Sequence, residues 1–483
     1  MIEDKGIYVD GGWRRASGTE RFVVVDPHSE QPFAEISLGD ATDAARAVEA
    51  AQAALPAWET VPLEERIQCV VAVRDLVERR HEELAALSTH SMGSPYRQAL
   101  TLGGSLALFD MYVDSIRQLE LEYVRDDRFG QALIRRRPVG VVAGIVPWNA
   151  PVRSELKKLV PALLCGCTVV LKPAPQTPLA AGVIAEICTE AGIPPGVVNV
   201  VPGAAAAGEE LVKHPAVRKI AFTGSTATGA RIASLAAPSF KRLQLELGGK
   251  SAAILLEDVD LAAAMPTLAW SAWVNSGQAC MANTRVLAPR ERYDEVVDAY
   301  VDAAEQHVLG DPMDATTTMG PLVSRAQLDR VTGYVEAGRS EGARLVTGGR
   351  RPDHLDTGCY MAPTVFADVD NSMRIAQEEI FGPVTAIIPY DGYDEAVEIA
   401  NDSQYGLAGG VFGTDEELAL SIARRIDTGS VAINGFTLPA TAPFGGVKQS
   451  GIGREHGPEG YDSFLEYISH MLTPQLAAEL SSR

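Results

Sequence analysis

The chain has 483 residues, 42 basic and 63 acidic, for a formal net charge of −21, with 46% hydrophobic and 22% charged residues. That length exceeds one compact core and predicts two or three lobes, while the hydrophobic content excludes disorder as the main state. So acidic a surface argues against nucleic acid and anionic membranes as partners, although a local basic patch would still suit a coenzyme phosphate.

The opening stretch MIEDKGIYVDGGWRRASG has no apolar run of signal-peptide type. Residues 41 to 119 read mainly as helix, with apolar positions at three- and four-residue spacing in ATDAARAVEAAQAALPAW and EERIQCVVAVRDLVERRHEELAAL. Residues 121–138 lack that period and read as a two-stranded excursion, an exposed edge that a soluble protein has to cover. From 139 to 236 short β-branched runs alternate with helical segments. The expected strands are Val141–Val146, Thr168–Lys172, Val197–Val201 and Lys219–Phe222, with helices beginning near Ser154, Pro178, Ala204 and Thr226. Such alternation implies parallel βαβ units, which bind ligands at the carboxyl ends of their strands. A second alternating set begins near Arg242 and runs to Asn434. Its strands are expected at Ala252–Leu256, Thr284–Leu287, Val384–Pro389 and Ser430–Asn434, with helices over 260–276, 291–306, 393–402 and 415–426. The fold class is α/β, two lobes with a cleft between them.

Six cysteines stand at 69, 165, 167, 188, 280 and 359, with no paired spacing of the zinc type. Cys165 and Cys167 lie in the run Leu159 to Leu171, thirteen residues broken by Pro161, which is too short for a membrane span. Both read as small core residues. Reduced cysteines and the absence of a targeting signal make the cytoplasm the expected location, and no metal site is expected.

Three segments carry chemistry. KIAFTGSTATG ends a strand in Thr-Gly-Ser and opens a helix, whose free N–H groups suit a phosphate. An ordinary strand–turn–helix junction fits that segment equally well, and Lys172 in LKPAPQTP adds a cation near the same edge. QLELGGK places a carboxylate, Glu246, at the end of an apolar strand before a Gly-Gly turn. NSGQACMANTR sets Cys280 on a loop between a helix and a strand. A cysteine becomes a nucleophile where its surroundings favour the thiolate, and a carboxyl in an apolar cleft becomes a base near neutrality. With the asparagine of PWN, Asn149, the set suggests acyl chemistry.

PWNAP at 147–151, KPAPQTP at 172–178, FTGS at 222–225, LELGGK at 245–250, GQAC at 277–280, EEIFGP at 378–383 and PFGGVKQSGIGRE at 443–455 resemble, in order and over most of the chain, the aldehyde dehydrogenases. The 34-residue interval from Glu246 to Cys280 matches as well. The resemblance implies a Rossmann-type coenzyme lobe over 1–119 and 139–249 and an α/β catalytic lobe over 250–449. Segments 120–138 and 463–483 would bridge subunits of a homodimer or homotetramer.

It further implies that Cys280 attacks the aldehyde, that Asn149 and the Cys280 N–H hold the oxyanion, and that Glu246 activates the hydrolytic water. Lys158 and Glu466 match positions that relay the proton, though a surface lysine and a tail carboxylate would look the same. NAD would be held by Lys172 at the adenosine ribose and by Gly224, Ser225 and Gly229 at the pyrophosphate. Trp148 and Thr223 would line that crevice, with Glu379 at the nicotinamide ribose and Phe381 beside the ring. One departure bears on the coenzyme. Pro175 stands where the family often has a glutamate that accepts the ribose hydroxyls, so NADP becomes possible beside NAD.

Two other readings compete. An acylating relative would hand the thioester to coenzyme A, which Glu246 argues against. A silent structural homologue would have no need of Cys280, Asn149 and Glu246 together. The substrate is a small aldehyde of undetermined kind. Ala150, Ser154 and Lys157 fall at the tunnel entrance by helical spacing from Asn149, and Ala279 and Met281 flank the nucleophile. Lys157 either favours an acidic tail or faces water.

Overall fold

The structure, a computed structural model, describes residue 2, residues 4–101 and residues 104–481. Its first sheet has eight strands in the order Gly12–Arg14, Ile7–Val9, Val198–Val200, Thr168–Lys172, Val141–Ile145, Val217–Thr223, Arg242–Glu246 and Gly451–Ile452. The five strands from Val198–Val200 to Arg242–Glu246 are parallel, and their neighbours on either side run antiparallel to them. Val141–Ile145 and Thr168–Lys172 in the middle read as near-continuous apolar runs because helices cover both faces, as parallel sheets require. From Val141–Ile145 the chain builds outward one way and then returns to build the other way. The strand order therefore reverses between Val141–Ile145 and Val217–Thr223, and a crevice opens above their carboxyl ends.

The second sheet has seven strands, ordered Arg344–Thr347, Thr364–Ala367, Val384–Tyr390, Arg285–Pro289, Ala252–Leu255, Ala408–Phe412 and Ser430–Ile433. Only the Arg344–Thr347 edge is antiparallel. A third sheet pairs Glu122–Asp127 with Gly130–Pro138, and Gly130–Pro138 with the tail strand Leu465–Leu472.

The differences from the sequence reading have physical causes. Arg242–Glu246 opens no second set. It lies parallel to Val217–Thr223 in the first sheet, with Thr223 opposite Glu246. Its apolar alternation suits either sheet, and only the pairing partner decides. The excursion at 121–138 is three-stranded once the tail joins it, a pairing more than three hundred residues apart that no local pattern reveals. The helix expected near Ser154 runs Pro151–Cys165, starting early because a proline fits the first turn and ending where Gly166 takes a left-handed conformation. Strands Thr364–Ala367 and Ala408–Phe412 and the helix Arg325–Ser340 were not anticipated. No helix among the described residues is long and apolar enough to cross a membrane.

Candidate active site

The helix Leu261–Trp273 ends before the expected residue 276, and the chain then turns through three left-handed residues, Asn275, Ser276 and Gly277. At Gly277 a side chain is excluded outright, since a Cβ would stand 2.1 Å from the Gly382 carbonyl oxygen. The FGP turn thus braces the loop that carries the cysteine. Side chains finish the turn. The Asn275 amide donates to the Asn149 carbonyl at 2.9 Å and to the Gln278 carbonyl at 3.2 Å. Ser276 donates to the Gly320 carbonyl at 2.8 Å, and Gln278 accepts from the Val323 N–H at 3.0 Å. On the facing side the Asn149 amide donates to the Gln278 carbonyl at 2.9 Å, leaving its second N–H for another acceptor. Gly249 approaches closely as well, for a Cβ there would lie 2.3 Å from the Cys280 carbonyl oxygen. Asn149, Cys280 and the LGGK turn after Glu246 therefore share one cleft. Asn275 and Gln278 escaped the sequence reading, although both sit inside the quoted NSGQAC run.

Burial pushes the Cys280 thiol up to about 12, against the pull of Lys157 and with the carboxylates of Glu379, Glu246 and Glu455 adding to the rise. Glu246 is 3% exposed, and neither carboxyl oxygen has a hydrogen-bond partner among the described residues. Burial first, then the charge of Glu455, raises its carboxyl well above the usual carboxylate range, opposed by Lys158, Lys157 and Arg454. Gly445 sits against that carboxyl, where a Cβ would come within 2.7 Å of Glu246 Oε1.

Lys158 is fully buried and pairs with Glu455, which also receives Lys157 at 3.1 Å. Burial alone would raise Glu455, but its two lysines hold it well below the carboxylate range. The structure does not bring Glu466 to Lys158. Glu466 lies on the bridging strand Leu465–Leu472, where Arg242 grips both its oxygens at 2.9 and 2.7 Å. The carboxylate beside Lys158 is Glu455, the last residue of the quoted PFGGVKQSGIGRE.

The other predicted residues collect along the reversal crevice. Lys172 ends its strand 8% exposed, donating to the Gly203 carbonyl at 2.7 Å and the Pro173 carbonyl at 3.2 Å, and burial lowers its ammonium to about 8. Thr223 ends the next strand, and Gly224 hydrogen-bonds back to the Glu246 carbonyl at 3.0 Å. Ser225 caps the helix Thr226–Ala236 through the Thr228 N–H, while the remaining first-turn N–H groups point out of the helix end. Gly229 is turned inward against Leu247, where a Cβ would meet the side chain at 2.5 Å, so its structural duty is helix-to-strand packing. Trp148 meets the edge of Phe381 at 5.4 Å between centroids. Glu379 accepts the Gly249 N–H at 3.0 Å, and burial pushes its carboxyl up to about 6. Among the described residues no cluster of three His, Cys, Asp or Glu is placed to hold a metal ion.

The aldehyde dehydrogenase family model matches residues 13–469. The chain belongs to the aldehyde dehydrogenase family. It is 47% identical over 473 residues to a geranial dehydrogenase of Castellaniella defragrans, covering 97% of this chain and 98% of that one. It is 40% identical to a 3-succinoylsemialdehyde-pyridine dehydrogenase of a Pseudomonas species, over 96% of this chain and 98% of the relative. Among solved structures, a Mycobacterium tuberculosis aldehyde dehydrogenase complexed with NAD+ superposes with a TM-score of 0.96 at 43% identity, covering 98% of this chain and 99% of its own. A mutant of aldehyde dehydrogenase C from Pseudomonas syringae, complexed with NAD+ and octanal, superposes at 0.94 with 41% identity over 97% of each chain. As a dehydrogenase of this family the protein has the α/β architecture read from its sequence.

Proposed function

We propose that the protein oxidises an aldehyde to its carboxylic acid with NAD and releases the acid by hydrolysis. The observation that carries this reading is the convergence of the Asn149 amide, Cys280 and the unpartnered carboxyl of Glu246 on one cleft from three distant segments. The residues of the neighbouring crevice fit a dinucleotide. Ser225 heads an eleven-residue helix whose amino end suits the pyrophosphate, and Lys172 and Glu379 offer a cation and a carboxyl to the two riboses. Trp148 and Phe381 supply aromatic walls. Relatives solved with NAD+ support the choice of coenzyme.

At rest the half-buried Cys280 is a thiol and needs its proton removed. Glu246, the unpaired carboxyl of the cleft, takes it when ionised and passes it on toward the Lys158–Glu455 pair before the hydrolytic step. The thiolate attacks the carbonyl carbon, and the oxyanion receives the free Asn149 N–H and the Cys280 N–H. NAD held by Lys172, Ser225 and Glu379 would supply the hydride acceptor for this adduct. What remains on Cys280 is a thioester. Glu246 then draws a proton from water, which attacks the acyl carbon, and the acid leaves with the thiolate restored. The buried Lys158–Glu455 pair behind Glu246 offers the departing proton a charged route. Both Cys280 and Glu246 are raised and both act deprotonated, so the rate climbs with pH through the alkaline range.

The six cysteines are all unbridged, which suits a thiol enzyme in a reducing, cytoplasmic setting. The relatives' names give different substrates, so none is transferred to this chain. Reduction of NAD with a panel of aldehydes, with and without coenzyme A, tests the proposal. We expect turnover independent of coenzyme A, no turnover in Cys280→Ala, and a burst of NADH followed by a slow steady state in Glu246→Gln. Strict dependence on coenzyme A would replace hydrolysis by acyl transfer. A Cys280→Ala variant with a tenth of wild-type turnover would remove the cysteine from the mechanism.

A further inference from the structure

The helix Pro151–Cys165 leaves Asn149 and sends Arg153 and Lys157, four residues apart, along one face. Lys157 keeps 14% of its side chain exposed, lies 4.6 Å over the Phe444 ring and reaches Glu455 at 3.1 Å. Phe444 adjoins Gly445, which touches the Glu246 carboxyl, and exchanges both backbone hydrogen bonds with Glu455 at 2.7 Å. Lys157 thus sits in the wall of the reaction cleft, not on the outer surface. Its neighbours leave positive charge in excess. Glu455 is one carboxylate shared by Lys157 and the buried Lys158. Arg454 lies nearby but is spent on the Gly446 and Gly453 carbonyls, and Arg153 interacts with the charge of Glu455 as well. Of the remaining groups, Glu246 is held toward its neutral form, His456 is neutral, and Glu379 is tied to the Gly249 N–H. A cationic wall inside a protein of net charge −21 runs against the composition of the whole.

We propose that Lys157 selects aldehydes whose far end carries a carboxylate. The proposal rests on the cleft at Cys280 being the reaction site. In a cleft shielded from water an ammonium attracts a carboxylate more strongly than it would at the surface. Ionised Glu455, 3.1 Å from the Lys157 Nζ, disfavours a dianion such as a phosphate in the same place. The monoanionic, carboxylate-ended chain is the class that fits.

The test compares kcat/KM for 4-oxobutanoate and 5-oxopentanoate with that for their methyl esters, in wild type, Lys157→Gln and Lys157→Arg. Wild type is expected to prefer the free acids by about tenfold or more, with a preference that shrinks as ionic strength rises. Lys157→Gln should lose about tenfold of that preference and Lys157→Arg should retain it. A wild type that turns over the esters as well as the acids overturns the proposal while leaving the reaction itself intact. An equal loss on acids and esters in Lys157→Gln also overturns it, because Lys157 would then serve Cys280 or Glu455. Failure of wild type on every aldehyde would overturn both the selectivity and the reaction.

Discussion

His456 carries its imidazole into a place where neither ring nitrogen meets a partner among the described residues, stacked against Phe444 at 5.8 Å and 2% exposed. Burial, aided by Lys157, Arg153 and Lys158 and resisted by Glu455, lowers it from 6.5 to about 3. The unfolded chain therefore binds a proton on this residue that the folded chain refuses. The stability that follows is fully present above about pH 6.5 and is lost as pH falls toward 3, at about 1.4 kcal/mol per unit. Replacing His456 by leucine should flatten the fall in Tm between pH 7 and pH 5, by the equivalent of about 2 kcal/mol. Thermal scans of both proteins across that range check it, and parallel profiles would mean that the acid sensitivity lies elsewhere. Single residues such as this one are the least legible from sequence. The histidine in GREHG shows no sign of burial in its own neighbourhood, and Glu455 beside it passed for the end of a motif while Glu466 took its place in the reading.

At the scale of elements, the segment after strand Thr168–Lys172 is where the coenzyme preference is expected to be set. Pro175 is half-buried where a carboxylate would accept the ribose hydroxyls and repel a 2′-phosphate. Proline does neither. Lys172, already bonded to two carbonyls, gives no bidentate clamp for a phosphate, and KPAPQTP contains no arginine. NAD is therefore expected to win by a small margin, and Pro175→Glu should widen it by about tenfold or more, since a like-charge contact in a partly desolvated site costs several kcal/mol. The ratio of kcat/KM for NAD and NADP in both proteins is the measurement. A strong native preference for NADP, or an unchanged ratio, would retire this account of Pro175. Elements with a clear period were legible: the strands at 141, 168 and 384 and the helices at 291 and 393 lie close to where the apolar spacing puts them. Those that failed were short strands, such as Ala408–Phe412, whose AGGVF carries two glycines and no alternation.

At the scale of the whole molecule, the three-stranded sheet holds apolar side chains out to solvent. Phe129 at the hairpin tip is 82% exposed, Met471 on the tail strand 81% and Tyr467 55%. Its outer strands, Glu122–Asp127 and Leu465–Leu472, each have an edge that no strand among the described residues pairs. Exposed edges and apolar residues on one small sheet are the signature of a surface made to be covered, and a dimer or tetramer through this sheet is expected. Light scattering at micromolar concentration should give a multiple of 51.4 kDa, and Phe129→Asp combined with Met471→Asp should shift it toward the monomer. A wild-type monomer would defeat the expectation.

The sequence by itself determined the architecture class and the family, and with them the residues proposed for the cleft. Both depend on local signals: strand–helix alternation sets a parallel sheet, and Asn149, Glu246 and Cys280 each lie in a short segment whose turns and glycines are visible in the chain. What only the tertiary structure decided is who meets whom. Glu455 rather than Glu466 faces Lys158, Arg242–Glu246 joins the first sheet, and the tail closes the hairpin from more than three hundred residues away. These pairings turn on which buried surfaces and charges come together when the lobes pack. A residue's own neighbours along the chain carry no information about that.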